Sequence, residues 1–280
     1  MSMKKIIAGW LGILLAAATG ISAEPLKITV SIPPQAYLVE RIAGNAAVVT
    51  VLVPGGKSPH DYAPAPQQVA AIAESRIFFL VGTMPFEAEL VKKMQSQCHT
   101  RFISSTKEIA RIPAEAAKLA LPGGAAADAD DHDANGEDPH IWLDPVNLKL
   151  MARNMAQALE ELDPERKALF SANCRALEAE LTALDGRIAA LLAPYRDRTL
   201  YVYHPAFGYF CRRYGLKQMS IEEGGKDPAP RQIMELIAAA RRDRVRVILV
   251  QRQFNSRSAE KIAAAIQGRV VPIDILERNL

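Results

Sequence analysis

A helical pattern running from Pro164 to about Ala193 divides this chain into two stretches in which short β-rich runs alternate with longer helical ones. Leu169, Phe170, Cys174, Leu177, Leu181, Leu184, Ile188 and Leu191 recur three and four residues apart, which places them on one face of a single helix. Asp163 before Pro164 reads as an N-cap followed by a proline at the first helical position, and Pro194 ends the run. At ~1.5 Å per residue such a helix is about 45 Å long, enough to run the height of a two-lobed molecule. Another helix, 145–162, precedes it with no strand between the two.

On either side the alternation is that of βαβ units around mainly parallel sheets. Strands are predicted at 28–32, 48–53, 77–81 and 101–104, then at 200–203, 217–220, 245–250 and 270–273. Helices are predicted between them at 34–43, 65–73 and 85–94, then at 206–214, 229–241 and 256–265. The expected fold is α/β, with an N-terminal lobe at 24–162, a linking helix at 163–194 and a C-terminal lobe at 195–280.

The first residues, Met1-Ser2-Met3-Lys4-Lys5, are followed by an apolar run over 6–18 and then by Gly20-Ile21-Ser22-Ala23 before Glu24. A basic start, an apolar middle and a small-residue exit predict a secretory signal, 1–23, cut after Ala23. The apolar run falls short of the ~20 residues that cross a bilayer. No cysteine stands at the cut to take a lipid, so the expected product is a soluble periplasmic protein with no stable membrane insertion. Loss of Lys4 and Lys5, with no acid, lowers the net charge from +3 to +1. That balance lacks the basic footprint of a nucleic-acid binder.

Cys98, Cys174 and Cys211 make an odd number for an oxidising compartment, so at least one is unpaired. Cys174 lies on the apolar stripe of the long helix and reads as a small buried hydrophobe. Pairing of Cys98 with Cys211 stays open. The tract 123–138, GGAAADADDHDANGED, reads as an acidic loop, with His132 among Asp128, Asp130, Asp131, Asp133 and Glu137. It is either a solvated linker or a weak collector of divalent cations.

Three of the five histidines stand where regular structure meets a loop. His60 closes Pro54-Gly55-Gly56-Lys57-Ser58-Pro59-His60 after a predicted strand. His140 lies in Asp138-Pro139-His140-Ile141-Trp142-Leu143-Asp144-Pro145 before a helix, and His204 follows the strand 200–203 and precedes Pro205. Ligands of open α/β sheets collect beyond the carboxyl ends of strands. Proline neighbours fix the backbone direction that a preformed site needs. His99, beside Cys98, has no such setting and reads as a surface residue. Asp274, at the end of the apolar run Val270-Val271-Pro272-Ile273, is expensive to bury there unless it caps a turn or meets a cation. Three imidazoles and one carboxylate suit a tetrahedral zinc ion.

The stretches GGKSPHDYAPAPQQVAAI, DPHIWLDPVNLKLMARNMAQAL, YVYHPAFGYFCRRYGL and VVPIDIL occur in this order, carrying His60, His140, His204 and Asp274. Through them the chain resembles the cluster A-I solute-binding proteins of ABC transporters, the family of periplasmic high-affinity zinc receptors and the related manganese receptors, over about 27–274. The resemblance implies two α/β lobes joined by one long rigid helix with the metal in the cleft between them. It implies His60, His140, His204 and Asp274 as ligands, and a histidine at 204 favours Zn2+ over the alternative Mn2+. Partners implied are an inner-membrane ABC permease and its cytoplasmic ATPase, served by a monomer. Glu222, in SIEEGGKDPAPRQIMELI, approaches the cleft without a ligand role. Two departures stand out: Val250-Gln251-Arg252-Gln253-Phe254 replaces a Glu-Pro-Gln type run, and Ile275 replaces the usual proline after Asp274.

Neutral imidazoles bind metal best above a pKa near 6.5, so affinity is expected to weaken in acid. A long helix resists bending, so closure on the metal is expected to be small. The competing readings are an Mn(II) or Fe(II) receptor of the same family, a receptor for a chelated metal or organic ligand, and a zinc hydrolase. Against an enzyme stand the absence of an HExxH helix, of a GxSxG elbow and of a general base beside the histidines.

Overall fold

The computed structural model describes residues 24–117, 119 and 136–278. The expected signal at 1–23 and most of the acidic tract, with Asp128, Asp130, Asp131, His132 and Asp133, lie outside the described residues. Among the described residues no helix is long and apolar enough to cross a membrane.

Two four-stranded, wholly parallel sheets form, each from one contiguous half of the chain. In the first, β1 (Leu26–Val30), β2 (Ala47–Val51), β3 (Ile77–Leu80) and β4 (Arg101–Ser104) lie in the order β2-β1-β3-β4. In the second, β5 (Thr199–Val202), β6 (Lys217–Ser220), β7 (Val247–Gln251) and β8 (Arg269–Ile273) repeat that layout as β6-β5-β7-β8. The central strands are apolar because helices cover both faces of a parallel sheet. Ile77, Phe78 and Phe79 of β3 are fully buried.

The helices are α1 (Pro33–Ala43), α2 (Pro66–Glu74), α3 (Pro85–Met94), α4 (Pro145–Leu162), α5 (Lys167–Leu192), α6 (Gly208–Tyr214), α7 (Pro230–Arg242) and α8 (Arg257–Ala265). Four of them start by one device that the patterning above overlooked, a proline in the first turn with Gln or Glu two residues beyond the first helical residue. Gln35, Gln68, Glu87 and Gln232 each reach back to the backbone N–H of the residue before the helix, at 3.2, 2.9, 3.4 and 2.7 Å. Each bond satisfies a donor that the helix leaves orphaned.

The linking helix departs from expectation in two ways. Asp163 does cap it, its carboxylate accepting the Arg166 N–H at 3.1 Å, but Pro164–Arg166 is a 3-10 turn and α5 proper begins at Lys167. Its apolar stripe is also buried only in part. Phe170, Cys174, Leu177 and Leu181 pack against α1 and α4, whereas Leu169 is 46% and Leu191 71% exposed. Beyond Leu184 the helix is held by polar partners, Arg213 and Tyr214 of α6 binding Asp185 at 2.6 and 2.9 Å.

The larger core is not confined to the first lobe. Phe207, Tyr209 and Cys211 at α6, and Ile275 and Leu276 near the C-terminus, belong to the same buried cluster as β1, β3, α1 and α4. The Trp142 indole N–H donates to the Ile275 carbonyl at 2.7 Å, and the Ile112 N–H to the Tyr209 hydroxyl at 3.3 Å. All three cysteines are free.

Candidate metal centre

Three segments deliver the three histidines to one point. His60 lies within the loop that joins β2 to α2, with its N–H on the Ser58 hydroxyl at 3.3 Å. His140 begins the 3-10 turn Ile141–Leu143 that leads into α4, and His204 stands two residues beyond β5. One ring nitrogen from each lies within 4.8 Å of the others. The Nε2 atoms of His60 and His204 are each 3.3 Å from Nε2 of His140. Four ligands around zinc at 2.0–2.1 Å stand about 3.3–3.4 Å apart along the edges of the tetrahedron. The two separations to His140 therefore match the edges of such a tetrahedron, and the third pair lies within 4.8 Å.

The opposite ring nitrogens explain why Nε2 faces inward. His140 Nδ1–H donates to Asp138 Oδ1 at 2.8 Å, and the same oxygen accepts the His140 backbone N–H at 2.9 Å. His204 Nδ1–H donates to Glu222 Oε1 at 2.7 Å. A carboxylate on Nδ1 fixes the tautomer and leaves the Nε2 lone pair for a metal. With both imidazoles neutral, the lone pairs of His140 and His204 then face each other at 3.3 Å. That arrangement is repulsive without a cation between them. His140 and both carboxylates are at most 4% exposed, so water screens little of this. Glu222 Oε2 is buried with no hydrogen-bond partner, a negative charge suited to a neighbouring cation.

The first of the two departures in sequence, the run Val250–Phe254, holds His204. Gln251 is fully buried, its Oε1 accepting the His204 N–H at 3.2 Å and its Nε2 donating to the His204 carbonyl at 2.9 Å. Phe254 stacks on the imidazole with ring centroids 5.0 Å apart at 24°. Trp142 packs near His140 at 5.4 Å on the other side.

Asp274 is not among the atoms of the His cluster. Its Oδ1 accepts the Leu276 N–H at 2.9 Å, capping the turn after β8. The next residue, Ile275, is the one tethered by Trp142, so this turn sits beside His140's segment. His99 is exposed, as expected. Reasoning from sequence missed Asp138 and Gln251 as partners of the ligands and left Glu222 without a role. Only Asp138 carried a local signal, since Asp two residues before His commonly turns back on the backbone N–H.

Two parallel-sheet lobes, one long connecting helix and three imidazoles, one buried and two half-buried, converging near the carboxyl ends of the strands define a two-lobed metal-binding solute receptor. The family model described as zinc-uptake complex component A, periplasmic (ZnuA), matches residues 28–280, and the chain belongs to that family. A solved structure titled as the crystal structure of ZnuA superposes with a TM-score of 0.80 at 35% identity, covering 91% of this chain and 93% of that one. The high-affinity zinc uptake system protein ZnuA of Yersinia pestis is 29% identical over 75% of this chain and 71% of its own length. The manganese-binding lipoprotein MntA of Halalkalibacterium halodurans is 26% identical over 78% of this chain and 68% of its own.

Proposed function

We propose that this protein is a periplasmic receptor that captures Zn(II) and delivers it to an ABC permease driven by a cytoplasmic ATPase. The reading rests above all on three converging imidazoles, with Nε2 of His60 and of His204 each at tetrahedral spacing from Nε2 of His140. His60, His140 and His204 supply three ligands, and Asp274 supplies the fourth through the oxygen that its turn cap leaves over. Two of the rings are already oriented by Asp138 and Glu222, so little ordering is needed on binding. The lobes are 24–162 and 195–280, with 163–194 between them. Apolar packing shared across the lobes supports only small closure on the metal, and release falls to the permease.

Mn(II) is the second candidate cargo, but it prefers six ligands with more oxygen than this donor set offers. Catalysis is disfavoured because a fourth protein ligand leaves no open position, and the two nearby carboxylates are committed to imidazole N–H groups. The test is calorimetric titration of the metal-stripped mature protein with zinc and with manganese, beside His60→Ala/His140→Ala/His204→Ala and Asp274→Ala variants. The expected result is stoichiometric zinc binding that the triple variant loses and Asp274→Ala weakens. Tighter manganese binding overturns the choice of cargo, and binding unchanged in the triple variant overturns the site.

A further inference from the structure

The two lobes carry opposite charge. Residues 24–162 hold twelve Lys and Arg against seventeen Asp and Glu, residues 195–280 hold sixteen against nine, and the linking segment 163–194 holds four against five. Much of the C-terminal excess gathers at one place, the end of the sheet where its four strands begin. Lys217 opens β6, Arg198 immediately precedes β5, Arg246 immediately precedes β7, and Arg269 opens β8. The strand order β6-β5-β7-β8 sets these four in one row, about 15 Å wide at ~4.8 Å per strand. Backbone bonds join them in pairs, Lys217 N–H to the Arg198 carbonyl at 3.0 Å and Arg269 N–H to the Arg246 carbonyl at 2.9 Å. The turn from α7 into β7 adds Arg241, Arg242 and Arg244, and all seven side chains are exposed.

Helix dipole alone does not explain this edge. Arg241 and Arg242 stand at the C-terminal end of α7, where carbonyls attract a cation, but Arg198 and Arg246 immediately precede strands and Arg269 opens one. At the matching edge of the other lobe Lys27 pairs with Glu74 at 3.0 Å and Arg101 with Glu161 at 2.9 Å. Here Arg241 and Arg246 turn instead to the carbonyls of Ala265 and Ile266, at 2.9 and 3.2 Å. Of the two carboxylates at this edge, Asp243 accepts the Tyr201 hydroxyl at 2.9 Å and Asp197 lies exposed between Arg196 and Arg198. Beside the row stand two exposed apolar side chains, Leu191 at 71% and Tyr195 at 56%. The Arg198 N–H donates to the Tyr195 carbonyl at 3.0 Å, so Tyr195 and Arg198 share one turn. Basic side chains flanked by Tyr and Leu are the composition of surfaces that rest in a membrane interface.

We propose that this edge docks the C-terminal lobe on an anionic phospholipid surface. The row meets headgroup phosphates, Leu191 and Tyr195 enter the interface, and the acidic lobe is held away by its own charge. His204 lies past the opposite end of the same sheet, so docking leaves the metal cleft uncovered and does not depend on the ion. Each cation brought to such a surface raises binding about fivefold.

The test is cosedimentation of the mature protein with phosphatidylglycerol-containing vesicles and with pure phosphatidylcholine vesicles, at low and at physiological salt, with and without zinc. The variant Arg198→Gln/Arg242→Gln/Arg269→Gln removes three side chains that form no side-chain hydrogen bond among the described residues, and zinc titration of the same sample reports its folding. The expected result is binding to the anionic vesicles alone, weakened by salt and reduced about 100-fold in the variant, with zinc stoichiometry unchanged. Equal binding to both vesicles, binding undiminished in the variant, or no binding at low salt overturns the proposal. Binding only when the permease is reconstituted assigns the edge to a protein partner and overturns the lipid reading.

Discussion

Glu222→Gln separates the work of a metal site from the work of a fold. The amide keeps an oxygen to accept the His204 Nδ1–H, now 2.7 Å from Glu222, but loses the charge. A charge-assisted hydrogen bond is about twice as strong as a neutral one. Replacing carboxylates of this kind lowers metal affinity about 10–100-fold. In the metal-free protein the sign is opposite or null, because Oε2 is a buried charge without a partner and its removal relieves desolvation. The melting temperature of the stripped variant is thus expected to equal or exceed that of the unsubstituted protein. At zinc a thousandfold above the original dissociation constant, ligand binding stabilises the unsubstituted protein by about 4.1 kcal/mol. The variant retains about 2.7 kcal/mol for a tenfold loss of affinity and about 1.4 for a hundredfold loss. For a chain of this size the zinc-induced rise in melting temperature then shrinks by about 3–10 °C. Competition against a chromophoric chelator gives the affinity and differential scanning fluorimetry the two melting points. Affinity within twofold of the original, or a stripped variant that melts well below it, refutes the reasoning and makes Glu222 a structural residue.

Leu177→Ala on the buried half of the linking helix should lower stability by about 2–5 kcal/mol in urea denaturation, because Leu177 is fully buried between α1 and α4. Trp142→Phe keeps the packing but leaves the Ile275 carbonyl without its donor, and should cost about 1–3 kcal/mol in the same assay while lowering zinc affinity if the Asp274 turn shifts. Burial pushes the Cys174 thiol up to about 11 and the Cys211 thiol up to about 12. At pH 8 roughly one Cys211 in ten thousand is thiolate, so iodoacetamide should modify only Cys98 in the native protein, as mass spectrometry with and without denaturant will report.

Strand and helix positions were legible because parallel sheets write themselves as short apolar runs between amphipathic ones, and all eight strands fell within two residues of expectation. The three converging histidines were legible because each stood beside a proline in a loop near regular structure. What escaped was action at a distance. Glu222 lies eighteen residues from His204, and nothing local in either segment announces their pairing. Gln251 and Phe254 looked like departures from a family pattern, yet they clasp and stack on His204. The long helix misled in its second half, where Leu191 keeps the helical spacing but finds no wall to pack against. Periodicity reports which residues share a face and is silent on how far the opposing surface extends.

Each sheet is drawn from one unbroken stretch, β1 to β4 from 26–104 and β5 to β8 from 199–273. Domains fold as units and N-terminal parts emerge first. The first sheet, with His60 and His140 near its end, is complete while the second is still unmade. A chain whose second lobe is not yet folded therefore presents two of the imidazoles without the third, and two ligands alone hold a metal loosely. On the proposed ligand set, tight capture begins only when β5 carries His204 into place beside His140 and the last turn is tied down by Trp142. On that ligand set, affinity for the ion is in this sense a readout of a finished fold, since a half-folded copy has no competitive claim on it.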